Sequence, residues 1–286
     1  MNRVIDLHMH TTASDGLCAP AQLVDEACAV GIRAMSVTDH DTRSGVEDAR
    51  KRAGELGIEF TPGIEITAVH SGKDVHVLAY GLPDRIPAIE ALLTEQRQAR
   101  VHRAREIAHR LSRQGAPIDI DGLIASTLTG KAVARPQIAR YLIAAGHVAT
   151  VAEAFDTYLA EGQPAYVPHE GADPTQVVAM IRAAGGMSSL AHPGPLKRDE
   201  LIPALVDAQL DAIEAYHSAH DEGEQAHYVA LALRFGLLVT GGSDYHGPGT
   251  RRAEHFGAMG LPAARYAAFR ERLGADYEAR LAPPRG

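Results

Sequence analysis

Val4-Ile5-Asp6-Leu7-His8-Met9-His10 runs from a short apolar segment directly into two histidines one residue apart. Residues two apart on a strand point to the same side, so an extended chain delivers His8 and His10 into one cavity. The pattern recurs along the chain. Runs rich in Val, Ile and Leu at 4–7, 34–37, 59–61, 75–79, 187–190, 212–215 and 237–240 read as short buried strands. His8, His40, Glu65, His192, His217 and Asp244 each follow or close such a run.

Between most strands, apolar residues recur at three- and four-residue steps, placing helices at 20–30, 45–56, 174–184, 200–208, 222–235 and 263–273. Strand–helix alternation predicts an α/β fold with a parallel sheet, open or closed into a barrel. In such barrels the loops at the C-terminal strand ends build the active site, where these side chains fall. Mixed His/Asp/Glu donors in this number exceed the needs of one ion and point to a hydrolase with two or three metals.

Residues 91–167 break the alternation. A long polar helix at 94–113 leads through a turn at 117–121 and a loop at 130–136 to helices at 137–145 and 151–159. The expected organisation is a barrel from 1–92 and 168–286, with a helical insertion at 93–167 over its mouth. Arg97, Arg100, Arg103, Arg105, Arg110 and Arg113 of the long helix fit a solvated face. Lys131 and Arg135 flank a Gly/Ala-rich loop that a phosphate can approach, and arginine suits bidentate phosphate contact, so both are candidate substrate-binding residues.

Composition bounds the rest. The chain has 286 residues, 45% of them hydrophobic, enough for one large core. Its net charge of −8 disfavours coating of double-stranded nucleic acid. No apolar run approaches the roughly 20 residues that span a bilayer, and no basic-then-apolar leader opens the chain, so the expectation is a cytoplasmic enzyme. Cys18 and Cys28 lack the paired spacing of a zinc ribbon and read as reduced thiols.

Six segments together resemble the polymerase and histidinol phosphatase (PHP) family of metal-dependent phosphoesterases. They are Asp6-Leu7-His8-Met9-His10-Thr11 with Ser14-Asp15-Gly16; Thr38-Asp39-His40-Asp41; Gly63-Ile64-Glu65-Ile66; His76; Ala191-His192-Pro193; and Gly242-Ser243-Asp244-Tyr245-His246. The resemblance implies a distorted seven-stranded barrel holding up to three divalent ions, with manganese favoured and zinc, iron or magnesium also compatible. By motif, His8, His10, Glu65 and Asp244 would hold one ion, and Asp15, His40 and His246 a second. Glu65 would bridge to a third, completed by His76 and His192. The facing of His76 depends on strand register. Asp39 and Asp41 would orient ligands or cap a helix. His70, His102, His109, His147, His169, His220, His227 and His255 match no motif and read as surface or capping residues.

The helical insertion and the Arg135-Pro136 element resemble the bacterial group that removes the 3′-phosphate of nucleoside 3′,5′-bisphosphates or trims the 5′ ends of short RNAs. That implies a small nucleotide or a short RNA end as substrate, with one phosphate at the metals and another at Arg135 and Lys131. His217, a further ligand or a neighbour of the leaving group, is the candidate general acid, with His192 as the alternative. Histidinol-phosphate hydrolysis would share the ligands but leave Lys131 and Arg135 without a role. Amide hydrolysis would usually add a metal-bridging lysine. A non-catalytic metal-binding regulatory domain would be expected to have lost ligands.

Overall fold

The structure is a computed structural model that describes residues 4–127, 133 and 135–274. Lys131 lies outside the described residues. Two sheets organise the chain. Strands β1 (Val4–Asp6), β2 (Ile32–Met35) and β3 (Glu59–Phe60) form a parallel sheet in that order. Strands β4 (Gly63–His70) and β5 (Lys73–Tyr80) form an antiparallel hairpin. Its turn, Ser71-Gly72, holds φ of 50° and 75°, the pair of positive values that marks a type I′ two-residue hairpin turn. β6 (Met187–Leu190) runs antiparallel to β5, and β7 (Ala212–His217) and β8 (Leu238–Gly242) continue in parallel.

This pairing does not clearly outline the distorted seven-stranded barrel that the family resemblance implies. The described residues give sheets of three and five strands. Their edges meet along two seams through hydrogen bonds outside the ladders. At one seam Leu7 N donates to Gly241 O (3.1 Å), Asp244 N to His8 O (2.8 Å) and His10 N to Tyr245 O (2.9 Å). At the other, Asp41 N donates to Glu65 O (2.9 Å) and Glu65 N to Asp39 O (3.2 Å). The candidate ligands thus sit where strands leave regular pairing, which frees their backbones to aim side chains. Gly242 permits the first seam, since a Cβ there would lie 2.4 Å from His8 Cβ.

β4 is eight residues long, whereas the sequence reading ended a strand at residue 61. Ile64, Ile66 and Ala68 face the main apolar core, and Glu65 and Thr67 alternate to the other side. Glu65 is therefore inside a strand rather than after one. Helices α1 (Pro20–Ala29) and α2 (Val46–Leu56) pack on the first sheet through Leu23, Val24, Ala49 and Ala53.

Helix α3 (Pro87–Arg113) starts earlier than expected, with proline in its first turn, and spans 27 residues, about 40 Å. Ile89, Leu92 and Leu93 on its first half join the main core. Ala104, Ile107 and Leu111 on its second half join a separate cluster with α4 (Ile120–Thr127), α5 (Arg135–Ala144) and α6 (Val151–Ala154). A π-helical turn, Phe155–Leu159, follows α6. The helix at 120–127 was not anticipated. The solvated arginine face needs correction too. Arg100 is 9% exposed and donates to Asp41 Oδ2 and Thr67 Oγ1, both at 2.7 Å. Arg103 and Arg110 donate to the carbonyls of Val167 and Tyr166. These bonds pin α3 to β4 and to the returning chain.

The remaining helices, α7 (Pro174–Ala183), α8 (Pro193–Leu196), α9 (Ile202–Asp207), α10 (Glu222–Arg234) and α11 (Ala263–Leu273), complete the chain. α7 and α10 open with capping boxes, Asp173 with Gln176 and Asp221 with Glu224. No helix among the described residues is long and apolar enough to cross a membrane.

Candidate metal centre

The seams bring His8, His10, Asp15, His40, Glu65, His76, His192, Asp244 and His246 together, with His217 beside them. Four overlapping groups have donor atoms within 4.8 Å of one another: His8, His10 and Glu65; His8, His217 and Asp244; His10, Asp15, His40 and His246; and His40, Glu65 and His76. Glu65 is central and fully buried. Its Oε2 lies 3.3 Å from both His8 Nε2 and His10 Nε2 and 3.0 Å from His40 Nδ1, and its Oε1 lies 2.8 Å from His76 Nδ1 and 3.0 Å from His192 Nε2. The β4–β5 register explains His76: it sits opposite Thr67, two residues from Glu65, so both side chains share a face.

The donor set fits divalent ions. His10 Nδ1, His40 Nδ1 and Glu65 Oε2 are buried and have no hydrogen-bond partner although polar atoms crowd them. Orphaned buried acceptors are costly, and a cation placed among them removes that cost. The charge balance agrees. Burial disfavours ionisation of Glu65 and Asp244, yet the surrounding imidazoles hold both carboxyls well below their usual range. Burial also opposes charge on His10, but the adjacent carboxylates of Asp244 and Glu65 outweigh it and raise its pKa to about 10. His40 goes the other way: burial lowers it to about 4 and leaves its ring neutral. Without a metal, protons on buried imidazoles supply the positive charge that divalent ions would bring.

Outer contacts set the tautomers. His246 Nδ1 donates to the carbonyl of Asp244 (2.8 Å), which turns its Nε2 lone pair toward Asp15, 3.3 Å away. His8 Nδ1 lies 3.0 Å from Glu214 Oε1, leaving Nε2 for the centre. Glu214 is fully buried, and its other oxygen accepts the backbone N–H of His192 at 2.9 Å. The sequence reading missed Glu214. Its signal was a carboxylate three residues before His217 in an otherwise apolar strand.

His217 is wired differently. Its Nδ1 accepts the backbone N–H of Ala219 at 3.0 Å, so the proton of the neutral ring sits on Nε2, 3.4 Å from Asp244 Oδ2. Burial lowers its pKa. A metal bond through Nε2 would need a ring with no proton, and full acid catalysis would need one with two. Nε2 is buried without a hydrogen-bond partner and lies with donor atoms of His8 and Asp244 within 4.8 Å of one another, so the geometry leaves His217 as a donor beside the centre or, with Nδ1 released from Ala219, a further ligand.

Asp39 accepts from Thr11 N, Thr11 Oγ1 and Ser14 Oγ, each at 2.7 Å, and so holds the loop that carries Asp15. Asp41 accepts Thr67 N at 2.8 Å besides Arg100. His169 and His220 are buried, not at the surface: the first pairs with Asp74 (2.6 Å), and the second accepts Gly194 N (3.0 Å) at the start of α8.

A cavity of about 250 Å³ opens beside the centre. Its lining includes Asp15, His40 and His76 together with Asp74, Arg100, Arg103, Arg135 and Phe155. The Arg135 guanidinium lies 5.8 Å from the Phe155 ring centroid and 5.9 Å from that of Tyr166. Burial, and then the charge of Arg135, lower the pKa of Arg103. The cavity collects three guanidiniums, from Arg100, Arg103 and Arg135, against the carboxylates of Asp15 and Asp74.

Comparison with known proteins agrees with this chemistry. Residues 6–163 match the PHP domain model. The chain is 34% identical over 253 residues to a 5′-3′ exoribonuclease of Haemophilus influenzae, covering 87% of this chain and 92% of that protein. It is 32% identical over 250 residues to a 3′,5′-nucleoside bisphosphate phosphatase of Chromobacterium violaceum, covering 86% of this chain and 88% of the relative. The solved structure of a Bifidobacterium adolescentis protein assigned as a metal-dependent phosphoesterase superposes with a TM-score of 0.81 at 31% identity, covering 99% of this chain and 98% of that one.

Proposed function

The chain belongs to the PHP phosphoesterase family, and on that premise we propose that it removes the 3′-phosphate of nucleoside 3′,5′-bisphosphates. The observation that carries this reading is the cavity that joins Asp15, His40 and His76 to Arg103 and Arg135. A substrate with two separate phosphates matches such a site, with one anion at the metals and one at the guanidiniums. Histidinol phosphate has a single phosphate and an amine, which leaves the arginines without a partner.

The proposed ligand sets are His8, His10, Glu65 and Asp244 for one ion, Asp15, His40 and His246 for a second, and Glu65, His76 and His192 for a third, with manganese as the preferred metal. Bound ions supply charge neutralisation of the phosphoryl oxygens and lower the pKa of water. The chain supplies the rest. Arg103 and Arg135 bind the second phosphate and fix which ester faces the centre. Glu214 and the Asp244 carbonyl orient the rings of His8 and His246. His217 donates its Nε2 proton in a hydrogen bond to the leaving oxygen, and His192 is the alternative at that position. Residues 93–167 are proposed as a unit that covers the substrate, supported by their own apolar cluster.

Trimming of short RNA 5′ ends is a second activity of the same site, favoured by the similarity to the exoribonuclease. A 5′-terminal nucleotide offers the same pair of phosphates. Hydrolysis rates for adenosine 3′,5′-bisphosphate, a 5′-phosphorylated trinucleotide and histidinol phosphate by manganese-loaded protein test the proposal. A preference for histidinol phosphate would refute it.

A further inference from the structure

The centre contains a cation that the reading so far leaves unused. Beyond β8 the chain passes Asp244 (φ 56°) and reaches Arg252 (φ 67°), both in the left-handed region that non-glycine residues avoid. His192 (φ 27°) and Asp41 (φ 51°), beside the same centre, share it. Such strain persists only where the surroundings enforce it, and it gathers at functional sites.

The Arg252 side chain is 20% exposed, and its Nη1 lies 3.8 Å from Asp244 Oδ2, too far for a hydrogen bond. Among the described residues its guanidinium has no hydrogen bond. Five donors on a partly buried cation whose nearest recorded acceptor is Asp244 Oδ2, beyond hydrogen-bond distance, are an incomplete arrangement. Asp244 divides its oxygens: Oδ1 faces His10 Nε2 (3.1 Å) and His8 Nε2 (3.5 Å), whereas Oδ2 faces His217 Nε2 and Arg252. His217 and Arg252 therefore present two sets of donors on one side of the centre. Arg103 and Arg135 line the cavity together with Asp15, His40 and His76. A guanidinium cannot ligate a metal, but its planar fork matches two oxygens of a phosphoryl group.

We infer that Arg252 contacts the phosphoryl group being transferred, binding its non-bridging oxygens from the Asp244 and His217 side. This rests on the reading of the centre as a phosphoesterase site. It makes the arginines serve different phosphates, Arg252 the one that is cleaved and Arg135 the one that is retained.

The test measures binding of inorganic phosphate to manganese-loaded protein by calorimetry, manganese affinity, and hydrolysis of adenosine 3′,5′-bisphosphate. The proteins are wild type, Arg252→Ala, Arg252→Gly and Arg251→Ala. Arg252→Gly relaxes the left-handed backbone, so its losses cannot come from added strain there. Arg251 is exposed and controls for the general effect of removing a positive charge. Phosphate binding is expected to weaken about tenfold or more in both Arg252 variants, the scale of a charge-assisted contact, with manganese affinity retained and Arg251→Ala near wild type. Guanidinium added to Arg252→Ala is expected to restore part of the binding. Phosphate affinity that is unchanged, that falls only in step with manganese, or that falls equally in Arg251→Ala would overturn the inference. A wild type that binds phosphate through Arg252 yet hydrolyses no phosphate ester would refute the proposed function and, with it, the assignment to a transferred phosphoryl group, leaving Arg252 as a phosphate-binding residue only.

Discussion

His8 and Glu214 are 206 residues apart in sequence and meet inside the protein, Nδ1 to Oε1 at 3.0 Å, with both side chains fully buried. The same carboxylate holds the backbone N–H of His192, a residue strained at φ 27°. One side chain thus sets the tautomer of one candidate ligand and the position of another. Replacing Glu214 with Gln leaves one acceptor oxygen for two donors and turns an amide NH₂ toward the other. Metal affinity is expected to fall about 10- to 100-fold, as for other partners of ligand histidines, measured by manganese titration. Unchanged affinity would show that Glu214 does not tune the centre.

Metal binding is expected to release protons near neutral pH. Although burial disfavours its charge, His10 is lifted to about 10 by Asp244 and Glu65, so the metal-free chain carries it protonated at pH 7. A ligand must offer a lone pair, so the proton leaves when the metal enters, and affinity rises with pH up to about 10. Folded-state stability from the His10 contacts follows the matching sign: fully present below pH 6.5, lost as pH rises through about 10. Indicator-dye titration in weak buffer reads the release. Manganese binding with no proton released at pH 7 would contradict this charge arrangement.

Arg135→Ala is expected to raise KM for adenosine 3′,5′-bisphosphate roughly tenfold or more, the scale of a bond to a charged group, while barely affecting an aryl phosphate with no second anion. Equal losses on both substrates would move Arg135 away from the retained phosphate.

His217→Asn is expected to slow a nucleoside phosphate more than an aryl phosphate, whose leaving group needs no help. A hydrogen-bond donor to the leaving oxygen predicts a gap of about tenfold or more between the two, the scale of one hydrogen bond to a developing charge. Equal slowing would place His217 elsewhere in the mechanism.

Much of this was legible in the sequence because ligand side chains sit at abrupt changes of polarity. His8, His10, Asp244 and His246 follow apolar strands, so spacing alone placed them. β4 was harder. Its inward face carries Glu65 and Thr67 rather than aliphatic side chains, so the strand looked like a motif between two turns. Glu214 looked like part of a strand pattern, and only the fold shows what it meets. The α3 arginines had the spacing of a solvated face, but Arg100 is buried because Asp41, 59 residues away, waits for it. Arg252 carried no local signal, since its importance lies in a left-handed backbone and a distance to Asp244. Long-range pairing is the physics that periodicity cannot see.

The most direct test of the account is the identity of the nucleotide formed from adenosine 3′,5′-bisphosphate by manganese-loaded protein, followed by ³¹P NMR. The account predicts adenosine 5′-monophosphate and one equivalent of phosphate, abolished by chelation and restored by manganese. Formation of the 3′-monophosphate instead, or no phosphate at any metal loading, would contradict it.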